Sequence, residues 1–557
     1  MNGLAFDAAT MTEAFARTVA AHGDHVALRA DDGGETTWAQ WDADVDRYAA
    51  GLSERGIGRG DTVAFLLSNR PEAYALDMAA LHTGACCYGI YATSAPEQIA
   101  HQLRVAQTRV LVTERATADA AGRGATLVEH PVEVLLVDEP ASIGALAVAG
   151  GRRPSVEITA EDVATLIFTS GTTGAPKAAE LTHGNVMEEC RISQAVVGLN
   201  ARCSLISYLP VAHVADRVLA YYYAIVTGGT IGFVADPRTF AAQLPRIRPH
   251  IFLSVPRMWD KLAGAVAAAG RAADPAFEEQ MRRSIASVKG GDGPLDAPAL
   301  RAMREQFGLA DIEFAMSGSA PLSVETLWFF MGLGLPFCEG YGMSETTGIV
   351  VMNPSDAPRP GTIGKAAPGV QARLAPDGEL LIRGGNVMRG YRGQPDATAE
   401  ALRDGWMHTG DLARMDEDGY LTIVGRKKEI IISAAGKNMS PAQIEQAIAA
   451  ESDLIGVVVC IGDGRPYNVG LVLLDPDALA PGMSVAQAAL DTDVRAQVAA
   501  AVERGNARLS RPEQLKRHAI LPETWLPGGE IMTPTQKVRR RVVDERYASE
   551  IEALFSA

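Results

Sequence analysis

The apolar run Val163-Ala164-Thr165-Leu166-Ile167-Phe168 opens directly onto Thr169-Ser170-Gly171-Thr172-Thr173-Gly174-Ala175-Pro176-Lys177. No other stretch constrains the fold as much. A short apolar run bounded by glycine and proline reads as a buried strand. The loop after it suits an anion. Glycines let the backbone approach closely, consecutive N–H groups form a nest, the hydroxyls donate, and Lys177 adds positive charge. The spacing is not that of a Walker A loop, because GxxxxGK[ST] is absent. The plain alternative is a polar surface turn, which nine such residues in this order argue against.

Around this loop, helical patterns alternate with short apolar strands, which implies α/β layers with a largely parallel sheet. Ser94-Ala95-Pro96-Glu97 has the form of a capping box opening a helix through Ile99 and Leu103, with Pro96 in its first turn. Arg109 to Thr113 is strand-like. From Gly361 to Val424 the character changes. Short runs such as GELLIRG and GYLTIVG, separated by turns, predict a small antiparallel β unit. After Gly425 come a charged run, a second capping box at Ser440-Pro441-Ala442-Gln443, and the strands LIGVVVCIG and GLVLLD. The expected architecture is a large N-terminal domain of layered α/β subdomains plus a small β unit, over residues 1–426. A smaller mobile α+β C-terminal domain follows, over residues 427–557.

Net charge is −16. Nothing basic dominates the chain to neutralise phosphates along a polymer, so a nucleic-acid partner is not expected. The six cysteines are scattered, with no CxxC or Cys/His pattern, which suits reduced thiols in the cytoplasm. The first residues lack a basic region followed by an apolar run, so no signal peptide is expected. No stretch approaches the ~20 apolar residues of a membrane span. Any membrane contact would be peripheral.

TSGTTGAPK closely resembles the phosphate-loop signature of the adenylate-forming superfamily, which includes acyl-CoA synthetases, luciferases and peptide-synthetase adenylation domains. One departure is Ala178, where the family usually has glycine. The resemblance continues in order along the chain. Gly340-Tyr341-Gly342-Met343-Ser344-Glu345-Thr346 is similar to the second core motif. It implies that Tyr341 stacks on adenine, Ser344 (more often Thr) contacts phosphate and Glu345 holds Mg²⁺. The chemistry agrees, since a flat ring suits a base and a hard carboxylate suits Mg²⁺. Ser317-Gly318-Ser319 resembles the segment lining the nucleotide and acyl pocket, so Gly318 is a nucleotide-site candidate. His408-Thr409-Gly410-Asp411 resembles the TGD motif, implying that Asp411 accepts from the ribose hydroxyls. Arg426 resembles the residue that also reaches the ribose, and Lys428 sits at the usual hinge position.

Leu209-Pro210-Val211-Ala212-His213, with Arg217, resembles the segment where a histidine faces the carboxylate and the thiol tunnel. His213 is expected to position rather than to act as a general base. Thr533-Pro534-Thr535-Gln536-Lys537 resembles the final motif, whose lysine bridges carboxylate and α-phosphate in adenylation. The register selects Lys537 over Arg539, Arg540 and Arg541. Gly436 lies in a loop resembling the one that lines the pantetheine tunnel. The superfamily logic is two half-reactions at one site, with the small domain turning about Lys428 between them.

The resemblance implies ATP and Mg²⁺ as cofactors and CoA as co-substrate. Three further strings, around Gly89–Gln98, Val255–Lys261 and Asp463–Tyr467, are similar to long-chain bacterial acyl-CoA synthetases and point to a fatty acid. They are scaffold, so they bear on substrate only by analogy. Two other functions stay open. One is activation of another acid for a nucleophile other than CoA, as in a nitrite-using diazotase. The other is an inactive nucleotide-binding interaction protein.

Overall fold

A computed structural model describes residues 4–169, 175–198, 203–320, 322–354, 357–434, 437–533 and 536–556. The described chain forms two compact units. One gathers the residues up to Thr169 with those of Pro176–Ala372 and Ile382–Met407. The other gathers Arg373–Leu381 with those of His408–Ala557.

The larger unit is built on a seven-stranded sheet and two further sheets of four and five strands. In the seven-stranded sheet, Thr62–Leu66, Cys86–Gly89, Val110–Thr113 and Glu133–Leu136 run parallel to their neighbours. Val163–Thr169 joins them in parallel at Cys87. The expected parallel α/β layering is therefore present. Strands buried on both faces need side chains that are apolar throughout rather than alternating. Val63, Ala64, Phe65 and Leu66 meet that need, all fully buried. One core packs Ala64, Leu66, Tyr88, Ile99, Leu103, Leu166 and Phe168 between sheet and helix. A second gathers Phe252, Trp259, Phe330 and Phe337, with the Trp259 ring edge-on to all three.

The helix around Ile99 spans Pro96–Ala106, but its cap differs from the expected one. The N-cap is Ala95, not Ser94. Proline occupies the first helical position, which sets the cap one residue earlier, on a side chain with nothing to accept a hydrogen bond. Only the return half of a capping box forms, with Ala95 N–H donating to Gln98 Oε1 at 2.9 Å. Ser94 is buried instead.

In the smaller unit, Leu421–Arg426 pairs antiparallel with residues 411–415 of the strand Trp406–Met415. Ser440 caps the helix Pro441–Ala449 as expected, its Oγ accepting from Gln443 N–H at 3.4 Å. Ile444 and Ile448 from this helix enter a core with Val458, Val472 and Val498. Ile455–Ile461 and Asn468–Leu474 are antiparallel neighbours, and Leu515–Leu521 adds a parallel strand. No helix among the described residues is long and apolar enough to cross a membrane.

Candidate active site

Thr169 ends the strand Val163–Thr169, and Lys177 begins the antiparallel strand Lys177–Thr182 directly opposite it. The two ends of the Gly/Ser/Thr loop are thus held side by side by a sheet ladder. Ser170, Gly171, Thr172, Thr173 and Gly174 lie outside the described residues. The loop's exit is tied down by His101, whose Nε2 lies 2.8 Å from the Pro176 carbonyl. A carbonyl only accepts, so Nε2 carries the proton.

Tyr341 lies on the strand Phe337–Met343, and Ser344 and Glu345 on the single 3₁₀ turn that follows. The chain then doubles back, pairing Gly342 with Ile349 and Met343 with Gly348. This hairpin is why position 342 is glycine. A Cβ there would stand 1.9 Å from the Gly348 carbonyl oxygen. Glu345 is buried, 7% exposed. Its Oε1 accepts from the Tyr391 hydroxyl at 2.9 Å. Lys177 Nζ stands 4.9 Å from the centre of the same tyrosine ring. Gly318 follows the neighbouring strand Phe314–Ser317, its N–H donating to the Ser254 carbonyl at 3.3 Å. Ser319 after it adopts a left-handed φ of 71°. That conformation is uncommon for a residue with a Cβ and marks a shaped rather than a relaxed loop.

His213 caps a short helix, its Nδ1 accepting from Ala215 N–H at 3.1 Å. A backbone N–H only donates, so the ring proton sits on Nε2, which suits a donor to an oxygen ligand better than a base. The next two charges are buried in opposite senses. Asp216 accepts from Tyr74 Oη at 2.5 Å and Ser207 Oγ at 3.0 Å. Burial pushes its carboxyl up to about 7. Arg217, wholly buried, pairs with the equally buried Asp77 and donates to Tyr222 Oη from Nε and Nη2. Losing one partner of such a pair typically costs about 3–5 kcal/mol, because it strands a charge in the interior. Arg217 therefore serves the core beneath His213. A cavity of about 20 Å³ lies beside this turn, lined by Tyr208, Ala215, Asp216, Leu219 and Leu253, with room for about one water.

In the smaller unit, Asp411 and Arg426 are partners in the antiparallel ladder, and Arg426 Nε donates to Asp411 Oδ1 at 2.9 Å. Glu379 organises the approach to this pair. It accepts from Gly410 N–H at 2.9 Å and from Lys427 Nζ at 3.2 Å, with His408 Nδ1 at 3.3 Å. Burial raises its pKa, but these partners outweigh that and hold it below its ordinary value. Lys427 also pairs with Asp377, and its N–H donates to the Gly410 carbonyl. The residue before Lys428 is thus anchored on the Asp411 strand. After Lys428, Glu429 N–H donates to the Arg426 carbonyl.

Lys537 is exposed on a tight loop. Thr533 closes the loop twice, its N–H donating to the Lys537 carbonyl and its Oγ1 accepting from Lys537 N–H, both at 2.9 Å. A Met532–Val538 bridge seals the base. The neighbouring arginines are engaged elsewhere. Arg539 donates to the Gly529 and Glu530 carbonyls, Arg540 pairs with Glu445, and Arg541 pairs with Glu545. Gly436 lies outside the described residues.

The structure thus joins Thr169 to Lys177, Lys177 to Glu345 through Tyr391, and Asp411 to Arg426. Tyr391, His101 and Glu379 escaped the sequence reading. No motif marks them, and each acts on a partner far away in the chain.

The larger unit brings Lys177 and the buried Glu345 to one tyrosine, and the smaller unit holds an Asp–Arg pair and an exposed lysine. A family model described as AMP-binding enzyme matches residues 15–392, and one described as AMP-binding enzyme C-terminal domain matches residues 428–557; the chain belongs to this AMP-binding family. Among its relatives is a putative fatty-acid–CoA ligase, fadD11, of Mycobacterium tuberculosis. It is 44% identical over 423 residues, covering 71% of this chain and 74% of the relative. The long-chain-fatty-acid–CoA ligase FadD15 of the same organism is 36% identical, covering 94% and 92%. Among solved structures, the anthranilate CoA ligase AuaEII in complex with anthranoyl-AMP superposes with a TM-score of 0.77 at 17% identity, covering 96% of both chains. That likeness concerns the fold.

Proposed function

We propose that this enzyme activates a fatty acid with ATP and passes the acyl group to CoA. In the first half-reaction a carboxylate oxygen attacks the α-phosphorus of ATP and the bond to pyrophosphate breaks. In the second the CoA thiol attacks the acyl carbonyl, AMP departs and the thiol proton is lost. The observation that carries the reading is the pairing of Lys177 with Glu345 across one tyrosine. It stands in a chain related over 94% of its length to a long-chain-fatty-acid–CoA ligase.

Each residue has a role in this scheme. Thr169, the loop residues Ser170 to Gly174 and Lys177 cradle the phosphates, helped by Ser344. Tyr341 stacks on adenine, with Gly318 lining the pocket. Asp411, held by Arg426, accepts from the ribose. His213 donates from Nε2 to the acid's carboxylate. Lys537 brings a cation to the oxygen charge that builds during adenylation. Gly436 admits the thiol arm, and the unit we take as mobile, residues 427–557, turns about Lys428.

The donor set suits Mg²⁺. No cluster of three or more His, Cys, Asp or Glu occurs among the described residues, and Mg²⁺ commonly takes one or two carboxylates and completes its shell with phosphates and water. Glu345 would hold it, and the ion would supply neutralisation of phosphate charge. We place the enzyme in the cytoplasm. All six cysteines are free and buried, as expected of thiols that never meet an oxidising compartment.

A pyrophosphate-release screen over acids of graded length, with nitrite included and with CoA present or absent, tests this function. Apolar acids longer than acetate should give CoA-dependent thioester. Each buried CH₂ should contribute about 0.8 kcal/mol, close to a fourfold gain in kcat/KM. A response flat with chain length, or turnover with nitrite alone, would replace the fatty-acid reading with the non-CoA one.

A further inference from the structure

The segment 388–392 carries none of the motifs above, yet it runs between two parts of the nucleotide site. Met388 N–H donates to the Glu345 carbonyl, Arg389 N–H to the Glu180 carbonyl and Arg392 N–H to the Ala178 carbonyl. Gly390 and Tyr391 pair antiparallel with Glu180 and Ala179. Arg392 Nε donates to Glu180 Oε1 at 2.8 Å. Tyr391 N–H donates to Thr398 Oγ1 at 2.9 Å, which fixes the tyrosine's backbone from the other side. So the Tyr391 side chain leaves a rigid strand, and it touches two opposite charges at once.

We infer that Tyr391 is a positioning residue for the metal and phosphate site. Its hydroxyl orients Glu345 for the divalent cation, and its ring separates Glu345 from Lys177. The inference rests on the proposed roles of those two residues. Two opposite charges beside one another in a partly buried site would pair directly, and the nucleotide would then have to break that pair. The ring prevents this. Its face attracts the Lys177 ammonium, while its hydroxyl occupies Oε1 of Glu345 and leaves the second oxygen for a hard cation. Both charges are then set before ATP arrives, which is preorganisation rather than a contact with substrate.

ATP binding to the full-length protein, measured by calorimetry in EDTA and over a Mg²⁺ series without acid, tests this. Tyr391→Phe keeps the ring and removes one hydrogen bond to a charged group. Such a bond is typically worth a factor on the order of 10 in an equilibrium. The Mg²⁺ concentration for half-maximal tightening of ATP should therefore rise about tenfold, with ATP affinity in EDTA within twofold of the parent. Tyr391→Leu should weaken ATP in EDTA as well, because Lys177 then closes on Glu345. A purely structural role would lower the melting temperature and weaken both conditions alike in Tyr391→Phe, and that result overturns the inference. So does an unchanged Mg²⁺ requirement in Tyr391→Phe, whatever Tyr391→Leu does. If the parent itself binds ATP with no response to Mg²⁺, the proposed role of Glu345 fails first, which separates the two failures.

Discussion

In the larger unit, Lys177, Glu345 and Tyr391 come from three separate stretches of chain; the seven-stranded sheet carries Lys177 and Tyr391, and Met388 N–H joins the segment before Tyr391 to the Glu345 carbonyl. In the smaller unit, Asp411 and Arg426 lie 15 residues apart on adjacent strands, and Lys537 sits on a loop closed by Thr533 four residues earlier. One site is wired between distant stretches and the other around a pair 15 residues apart, and each holds a buried carboxylate, Glu345 in one and Asp411 in the other. Long-range wiring needs the whole core intact, and it holds charges in the interior. Short-range wiring depends on fewer distant contacts, which suits the part of this unit proposed to turn, residues 427–557.

The largest test of this contrast uses the half-reactions separately. Lys537→Ala should slow acyl-adenylate formation on the order of 10²–10³-fold, the usual cost of one preorganised charge donor. The same variant, given pre-made acyl adenylate and CoA, should form thioester at near-parental rate. Gly436→Leu should do the reverse. Equal damage to both half-reactions in Lys537→Ala would mean that the small unit does not act as an exchangeable module.

A second test asks whether interior wiring makes the larger unit acid-labile. His183 is buried there and His82 partly buried. His183 Nδ1 accepts from Met11 N–H at 3.2 Å, and His82 Nε2 lies 3.0 Å from Arg153 Nη1, a donor. Burial pushes their pKa values down to about 4 and about 3 from 6.5. Each is neutral when folded, and the unfolded chain takes up protons first. Stability is therefore complete above pH 6.5 and is lost as pH falls towards 4. His183 alone should account for a loss on the order of 3 kcal/mol over that span. Melting temperatures across pH 7 to 4 check this. His183→Gln, which cannot protonate, should flatten the decline. An equally steep decline in that variant would refute the assignment.

The smallest test compares the two caps. Ser440→Ala should cost the smaller unit about 1 kcal/mol, read from denaturant midpoints. Ala95→Ser should stabilise the larger unit by a similar or smaller amount. The backbone there, φ −68° and ψ 157°, already suits a cap, and only the acceptor is missing. A neutral Ala95→Ser would mean that the turn before Pro96 does not admit a serine in capping geometry.

The sequence by itself determined the layered α/β class, the strand before the Gly/Ser/Thr-rich segment, the Ser440 cap and the order of the motifs. Each depends on residues adjacent or a few positions apart, where periodicity and turn chemistry act directly. It misplaced the cap at residues 94–97 by one position, because Pro96 fixes the helix start more firmly than serine fixes a cap. The structure alone decided that Arg217 belongs to a buried pair with Asp77. It alone put His101 at the loop exit, Glu379 beneath Gly410, and Tyr391 between Lys177 and Glu345. Contacts of that kind are set by which strands become neighbours. That choice is made by burying apolar faces across the whole unit, and nothing in a local stretch of residues records which distant side chain it will bring within hydrogen-bonding distance.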